Sequence, residues 1–321
     1  MKRFFTRRTL TVVALLVLTS LTIVSCQKDS SVGIIGGADG PTAIFVSDGN
    51  SSYSVNGDGT VTGSSVTVNV TDGSEAPKAD EVIENVPLIK RLYLGGILQY
   101  LGGTTASMPI LIAMYLLAAL IAYALGSLNC GIIISKVFYK DDIRKYGSGN
   151  AGTTNMLRTY GKAAAIGTIV GDALKVVIAV VIANFMVGSI FGGGYIAGLC
   201  AIIGHVYPVY YGFKGGKGVV TAAITMLMLN PSIFLVEVTA FIIIVAIWRY
   251  ISLGSIICAA LYPMITYVAY NGPSIQFIFA LLIAVFIIFL HRTNIQRLID
   301  GKENKLSFSK SGKKAKNEDK K

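Results

Sequence analysis

The sequence predicts an all-α polytopic membrane protein of about seven transmembrane helices, with polar motifs on the cytoplasmic face and a small β or disordered extracytoplasmic segment in front. Three observations carry this. Of the 321 residues 53% are apolar and only 14% are charged, a balance that a soluble core of this size does not need. After Met108 the apolar runs follow one another, each able at about 1.5 Å per residue to approach the roughly 30 Å of bilayer hydrocarbon. The Lys and Arg residues give a net charge of +11, yet they lie in short stretches beside the apolar runs. That is the pattern of cytoplasmic loops and excludes a nucleic-acid partner.

Residues 1–26 open with Lys2, Arg3, Arg7 and Arg8, continue through an apolar stretch over 10–18 and end in "LTIVSC" at Cys26. They form a signal peptide, which resembles the lipoprotein type, or an uncleaved signal anchor; either places residue 27 onward outside the cytoplasm. Residues 27–107 are rich in Gly, Ser, Thr, Asn and Asp, contain nothing long enough to cross a membrane, and form an extracytoplasmic segment. Within it "YSVNGDGTVTGSSVTVNV" alternates valine with polar residues around a turn-like "NGDG", which reads as one or two small hairpins or as disorder. Residues 31–47, "SVGIIGGADGPTAIFVS", resemble a stretch in the membrane subunit of sodium-pumping decarboxylases. The resemblance ends there, and no ion-pump function follows for Asp39. Cys130, Cys200 and Cys258 are far apart and lie in apolar stretches, as small hydrophobes do, so no metal site or redox pair is expected.

The membrane domain spans residues 108–303, with expected spans at 109–136, 164–187, 190–208, 217–230, 233–248, 252–270 and 275–290; "LNPS" reads as a tight turn between the fourth and fifth. If the first span starts outside, Lys140, Arg144, Lys145, Arg158, Lys162, Lys214, Lys217, Arg249, Arg292 and Arg297 all fall on the cytoplasmic side. The opposite loops, "VGSIFGG", "LNPS" and "YNGPS", contain no Lys or Arg, so every loop obeys the positive-inside rule. The expected location is a bacterial cell membrane with the polar motifs facing the cytoplasm. Residues 304–321 are a basic cytoplasmic tail that makes at most a weak lipid-surface contact.

Three polar islands share the cytoplasmic face. In the second, "GHVYPVYYGFKGGKGVVT", the successive Gly215 and Gly216 allow close backbone approach, the next span offers a helix N-terminus, and Lys214 and Lys217 add charge, a combination suited to phosphate. It is not a Walker A loop, because Gly218 stands where Ser or Thr is needed. The first island, "DIRKYGSGNAGTTNMLRTYGK", contains a tight "GSGN" turn with the Ser148 hydroxyl and Asn150 amide; Asn155 and Arg158 share a helix face at i, i+3, and arginine matches phosphate with a planar fork. In the third, "HRTNIQRLIDGKE", His291 and Asn294 face the bundle while Arg292 and Arg297 meet water or headgroups. His205 ends the third span as an interfacial hydrogen-bonder. Asp172 and Lys175, at i, i+3 inside the second span, read as a structural ion pair.

These three islands, with "AYALGS", "DALK" and "RYISLGS", resemble the motifs of the bacterial glycerol-3-phosphate acyltransferases that use acyl-phosphate donors, the PlsY type. The match runs from about residue 114 to 303. Val176 stands where the family usually has glycine, and the residues before the first span are an addition. The resemblance implies transfer of a fatty acyl group from acyl phosphate to the 1-hydroxyl of glycerol 3-phosphate, giving lysophosphatidic acid and phosphate, the first acylation of phospholipid synthesis. It implies no cofactor and no metal; the partners are acyl phosphate, glycerol 3-phosphate and membrane lipids. Carried over by motif position, Ser148, Arg158 and His291 are the catalytic candidates, and Asn150, Asn155, Lys214, Gly215, Gly216, Lys217 and Asn294 are the substrate-binding ones. Arg158 and Lys217 would bind phosphate, His291 and Asn294 would orient glycerol 3-phosphate, and Ser148 would donate to a phosphoryl or carbonyl oxygen. The general base is either His291 or a substrate phosphate oxygen. Glu303 would pair with a cation and order the tail.

The donor is already activated, so two phosphates held close together suffice without an acyl-enzyme. Consistent with this, the spacing of histidine and aspartate used by coenzyme A dependent glycerolipid acyltransferases is missing: Tyr210 and Gln296 stand five positions after His205 and His291. No "GxSxG" nucleophile elbow is present. A transporter or channel for a phosphorylated solute is the alternative; it predicts polar residues at midplane depth and inverted repeats.

Overall fold

The computed structural model describes residues 108–189 and 192–306, together with five short strands and residues 89, 93, 96 and 97 before them. The signal segment 1–26, most of 27–107 and the tail from 307 lie outside the described residues. The chain divides into two compact units, residues 25–91 and residues 1–24 with 92–321.

In the smaller unit β1 (Ile34–Gly37) pairs antiparallel with β2 (Gly40–Ile44), with a register shift after Ile35. This hairpin falls on the stretch that resembles the sodium-pump subunit. Strands β3 (Tyr53–Val55), β4 (Val61–Gly63) and β5 (Thr67–Val68) form an antiparallel meander in the valine-alternating stretch.

The larger unit is helical: α1 (Met108–Gly126), α2 (Cys130–Phe138), α3 (Thr153–Tyr160), α4 (Lys162–Val187), α5 (Gly193–Val206), α6 (Val219–Leu229), α7 (Pro231–Trp248), α8 (Ile251–Ala269), α9 (Ile275–Leu290) and α10 (Arg292–Ile299). Each of the seven expected spans forms a helix, and the helices differ in length. Four segments are long and apolar enough to cross, Pro109–Phe138, Lys162–Val187, Pro231–Trp248 and Ile251–Ala269, or five if α9 and α10, bent by 57°, count as one. Helix α5 has 14 residues and α6 has 11, so they rise only about 21 and 16 Å, short of the roughly 30 Å of hydrocarbon. Their runs are cut by backbone conformation. Gly192 (φ 80°) delays the start of α5 and Gly218 (φ 76°) that of α6, both in the left-handed region. The first run is also interrupted before Asn129, whose side chain caps α2 by accepting from Ile132 N at 3.1 Å. The "LNPS" turn is as tight as its residues imply: Asn230 alone separates α6 from α7 and accepts from Ile233 N at 3.1 Å, with Pro231 in the first turn.

Small residues let α1, α4 and α5 pack closely. A Cβ at Gly126 would lie 2.3 Å from Ala201 O, and one at Gly204 would lie 2.3 Å from Tyr123 O, so backbone meets backbone along the α1–α5 contact. Ala118, Ala122, Ala179, Ala183, Ala197 and Ala201 form the buried cluster around it, the kind of packing that replaces the hydrophobic drive inside a bilayer. Large apolar side chains such as Leu116, Leu120, Ile242 and Val285 point outward, where lipid would cover them. A second cluster, centred on Ile202, Ile233, Leu261, Ile283 and Ile287, joins α5 to α7, α8 and α9. Together the two clusters hold the ends of α5 and α9, which carry the polar islands.

Under the end of α5 lies a buried polar group. Lys175 Nζ lies 2.8 Å from Asp172 Oδ1, 3.0 Å from Leu128 O and 3.0 Å from His205 Nδ1. The expected ion pair is therefore present, and it joins α4 to the break before α2 and to α5. His205 differs from its expected interfacial position: it is 4% exposed.

Candidate active site

The first island is built around one amide. Asp142 caps the 3₁₀ turn Ile143–Lys145. Gly147 and Gly149 take left-handed φ values of 57° and 68°. The buried Asn155 side chain then closes the "GSGN" turn: its Nδ2 donates to Tyr146 O at 2.9 Å and Asn150 O at 3.0 Å, with Ile143 O at 3.3 Å, while its Oδ1 accepts from Ser148 N at 3.1 Å. Asn155 is thus occupied within the scaffold, with both amide hydrogens spent on backbone carbonyls. The need for glycine is equally local, since a Cβ at Gly147 would sit 2.3 Å from Asn155 Oδ1. Ser148 stands exposed on this turn, Asn150 partly so. Arg158, in the last turn of α3, reaches the far end of the sequence, with NH2 donating to Asn304 O at 3.2 Å.

The glycine loop is ordered differently from what the sequence implies. Gly215 N donates to Val206 O at 3.0 Å and Gly216 N to His205 O at 3.1 Å. These amides close the end of α5 and so are turned away from any ligand. Gly216 is required for packing, because a Cβ there would lie 2.0 Å from His205 Nε2. The phosphate-friendly donors are instead the first amides of α6, which begins at Val219 after Gly218 and has no earlier turn to bond. Lys214 is exposed, whereas Lys217 is partly buried and donates to Asn294 Oδ1. Ala151 N and Gly215 O, 3.5 Å apart, bring the first and second islands together.

The third island closes the site at the bend between α9 and α10. His291 is 3% exposed, and its Nδ1 lies 2.8 Å from Ile287 O. A carbonyl only accepts, so Nδ1 carries the proton and a neutral ring leaves Nε2 as an acceptor. Burial pushes the imidazole down to about 4, helped by the neighbouring Lys217 and opposed by the Ile287 carbonyl and Glu303; the ring is therefore neutral near pH 7. Glu303 Oε1 accepts from Asn294 Nδ2 at 2.8 Å and Ser252 Oγ at 2.9 Å, and Oε2 from Arg297 Nε at 2.7 Å. Burial would raise the Glu303 carboxyl, but the hydrogen bonds from Arg297, Asn294 and Ser252 outweigh it and hold the group below its ordinary value. Glu303 does pair with a cation; Arg297 is that cation rather than a headgroup contact. Arg292 alone of the two faces outward, against Phe289.

Arg158, Lys217, His291 and Asn294 thus converge, together with Arg297 and Glu303. Burial first, then the cations Arg297 and Arg158, pushes the Lys217 ammonium down to about 8, with Glu303 opposing. Burial likewise lowers Arg158. Three cations facing one carboxylate leave the pocket short of negative charge, the electrostatic setting for a phosphate dianion. Ser252 and Arg297 escaped the sequence reading as site residues because their roles depend on contacts 51 and 6 positions away. Among the described residues no group of three or more His, Cys, Asp or Glu side chains is arranged to hold a metal.

A family model described as glycerol-3-phosphate acyltransferase matches residues 116–301, and the chain belongs to that family of membrane acyltransferases. It is 42% identical over 200 residues to the glycerol-3-phosphate acyltransferase of Clostridioides difficile, covering 61% of this chain and 97% of that one. The Thermoanaerobacter pseudethanolicus protein of the same name is 40% identical, over 59% of this chain and 94% of its own. The crystal structure of PlsY, an integral membrane glycerol 3-phosphate acyltransferase in its glycerol 3-phosphate form, superposes with a TM-score of 0.55 at 35% identity, covering 60% of this chain and 96% of that one. Its lysophosphatidic acid form gives 0.53 at 34% identity. Membership of an acyltransferase family goes against the transporter alternative.

Proposed function

We propose that this protein transfers a fatty acyl group from acyl phosphate to the 1-hydroxyl of glycerol 3-phosphate. The products are lysophosphatidic acid and inorganic phosphate. The observation that carries this reading is the gathering of Arg158, Lys217 and Arg297 around one carboxylate, beside a neutral His291. Arg158 and Lys217 would hold the two phosphate groups, supported by the amides at the start of α6. Gly215 and Gly216 would serve by shaping the loop, and Lys214 by adding charge at its exposed rim. Asn150 and Ser148 would donate from the "GSGN" turn toward the acyl phosphate.

The hydroxyl oxygen of glycerol 3-phosphate attacks the acyl carbonyl; the new ester C–O bond forms as the bond between the acyl carbon and the bridging oxygen breaks, and phosphate leaves with that oxygen and its electron pair. The hydroxyl proton needs an acceptor. A substrate phosphate oxygen carries negative charge and can accept it, while His291, held through Nδ1 on Ile287 O at 2.8 Å, presents Nε2 in a fixed direction. His291 therefore orients the hydroxyl through Nε2, and a substrate phosphate oxygen takes the proton. Fixed donors around the leaving phosphate would supply the transition-state stabilisation.

Donor choice tests this directly. Purified protein in lipid nanodiscs should acylate glycerol 3-phosphate from palmitoyl phosphate at least about tenfold faster than from palmitoyl coenzyme A, because the charged pocket suits a small dianion. Equal use of the two donors would sink the reading.

The same proposal places the three islands on the cytoplasmic side of a bacterial cell membrane, supported by the Lys and Arg distribution. It also divides the chain into a signal or anchor (1–26), an extracytoplasmic segment (27–107), the acyltransferase domain (108–303) and a basic tail (304–321). Cysteines placed at the exposed Tyr210 and Thr293 should resist an impermeant maleimide in intact cells, and one at the exposed Asn271 should react. Labelling in the reverse order would invert the topology.

A further inference from the structure

The Lys217 loop is gripped from the first island by a side chain that the reaction itself does not use. Arg144 directs Nε to Asp142 Oδ1 at 3.0 Å and Oδ2 at 3.2 Å, and NH2 to Asp142 Oδ2 at 2.7 Å. The remaining nitrogen, NH1, donates to Tyr211 O at 2.7 Å and to Lys214 O at 3.1 Å. Asp142 is itself fixed, because its Oδ1 also accepts from Arg144 N at 3.0 Å. The guanidinium fork is therefore nearly saturated by protein oxygens, which argues against a role on substrate phosphate although the residue sits in a basic motif next to the site.

The segment it holds is conformationally costly. Gly212 and Phe213 are consecutive left-handed residues, with φ of 66° and 58°, a conformation that a bulky side chain like Phe213 rarely adopts unless surrounding contacts hold it. On the far side the loop is tied to the end of α5 by the Gly215 and Gly216 amides. On the near side Arg144 holds its carbonyls. Lys217 leaves this doubly anchored turn to reach Asn294.

We propose that Arg144, oriented by Asp142, is a positioning residue: it clasps the 211–214 turn so that Lys217 is presented to the site in the absence of substrate. The proposal rests on the assignment of Lys217 to substrate phosphate, and the test separates the two. Hydrogen exchange on the substrate-free, full-length protein in nanodiscs reads the clasp; steady-state kinetics reads its consequence. In R144A, peptides covering 211–218 should exchange about tenfold faster, the scale of one or two lost hydrogen bonds, while peptides of α1 and α5 remain unchanged. KM for glycerol 3-phosphate should rise about tenfold with kcat within about threefold, the signature of a lost preorganised contact. Added guanidinium at millimolar concentration should restore both, and R144K should not, because an ammonium cannot bridge the carboxylate and two carbonyls. If R144A fails to insert, D142N carries the test, with the same local loosening at smaller amplitude. Unchanged exchange in 211–218, or a rise spread over the whole protein without a guanidinium response, overturns the clasp. Local loosening with an unchanged KM overturns the assignment of Lys217, and with it the positioning role.

Discussion

Arg158→Ala is expected to lower kcat/KM by roughly 10²–10³-fold in protein that still folds and inserts, the scale of about 3–4 kcal/mol for one lost transition-state charge or donor. The side chain has few partners to disappoint: one NH2 contact to the Asn304 carbonyl at 3.2 Å and a long-range interaction with Glu303. The loss should therefore appear in turnover more than in stability. Arg158→Lys should remain impaired, since it keeps the charge and loses the fork. Lys217→Ala should fall by a comparable factor, and the lysine adds a pH signature. With its ammonium pushed down to about 8, free enzyme loses that charge as pH rises through that value, so KM for glycerol 3-phosphate should climb about tenfold per pH unit beyond it. Lys217→Arg should abolish this alkaline limb whatever it does to kcat, because a guanidinium stays protonated. Because folding lowers the lysine's value, the unfolded chain holds the proton more tightly, and this group's contribution makes stability rise with pH between about 8 and its ordinary value. Near-normal kcat/KM in both alanine variants would leave the phosphate pocket without support.

The class of fold was legible because a bilayer constrains sequence strongly: apolar runs and cation-free outer loops are local signals. Crossing lengths were less legible. Gly192 and Gly218 set the starts of α5 and α6 by adopting positive φ, and glycine in an apolar run reads equally well as helix interior. The site residues divide in the same way. Arg158, Lys217, His291 and Asn294 were identifiable from charge, spacing and family resemblance, and they do converge. The roles of Asn155, Gly215 and Gly216 were not, because a glycine or amide that serves a ligand has the same sequence as one that serves its own backbone. Only the Asn155 contacts and the inward amides of Gly215 and Gly216 show the second use. Arg144 was counted as a topogenic cation for the same reason, its bond to Tyr211 spanning 67 positions.

Glu303→Ala is expected to combine a large activity loss with a lower melting temperature, unlike Arg158→Ala. One carboxylate accepts from Ser252 of α8, Asn294 of α10 and Arg297 of α10, so it ties the bend that carries His291 to the start of α8. Removing it leaves the Asn294 amide and the Arg297 guanidinium without their acceptor, a change of about 3–5 kcal/mol when one member of a buried pair is lost, less here because the Arg297 side chain is 38% exposed. Asn294 would then be held only through Lys217, and both would lose alignment; a fall of about 100-fold or more in kcat/KM follows from misplaced groups. Glu303→Gln should lie between, accepting from Ser252 but offering Arg297 no charge. The pH dependence has a definite sign. Because folding lowers the Glu303 carboxyl below its ordinary value, its contribution is complete above the unfolded value and is lost as pH falls through the folded one. Acid unfolding of the Gln variant should accordingly show a shallower loss of stability below about pH 4.5 than the natural protein. A Glu303→Ala variant with natural melting temperature and activity would show that the third island is held by other contacts.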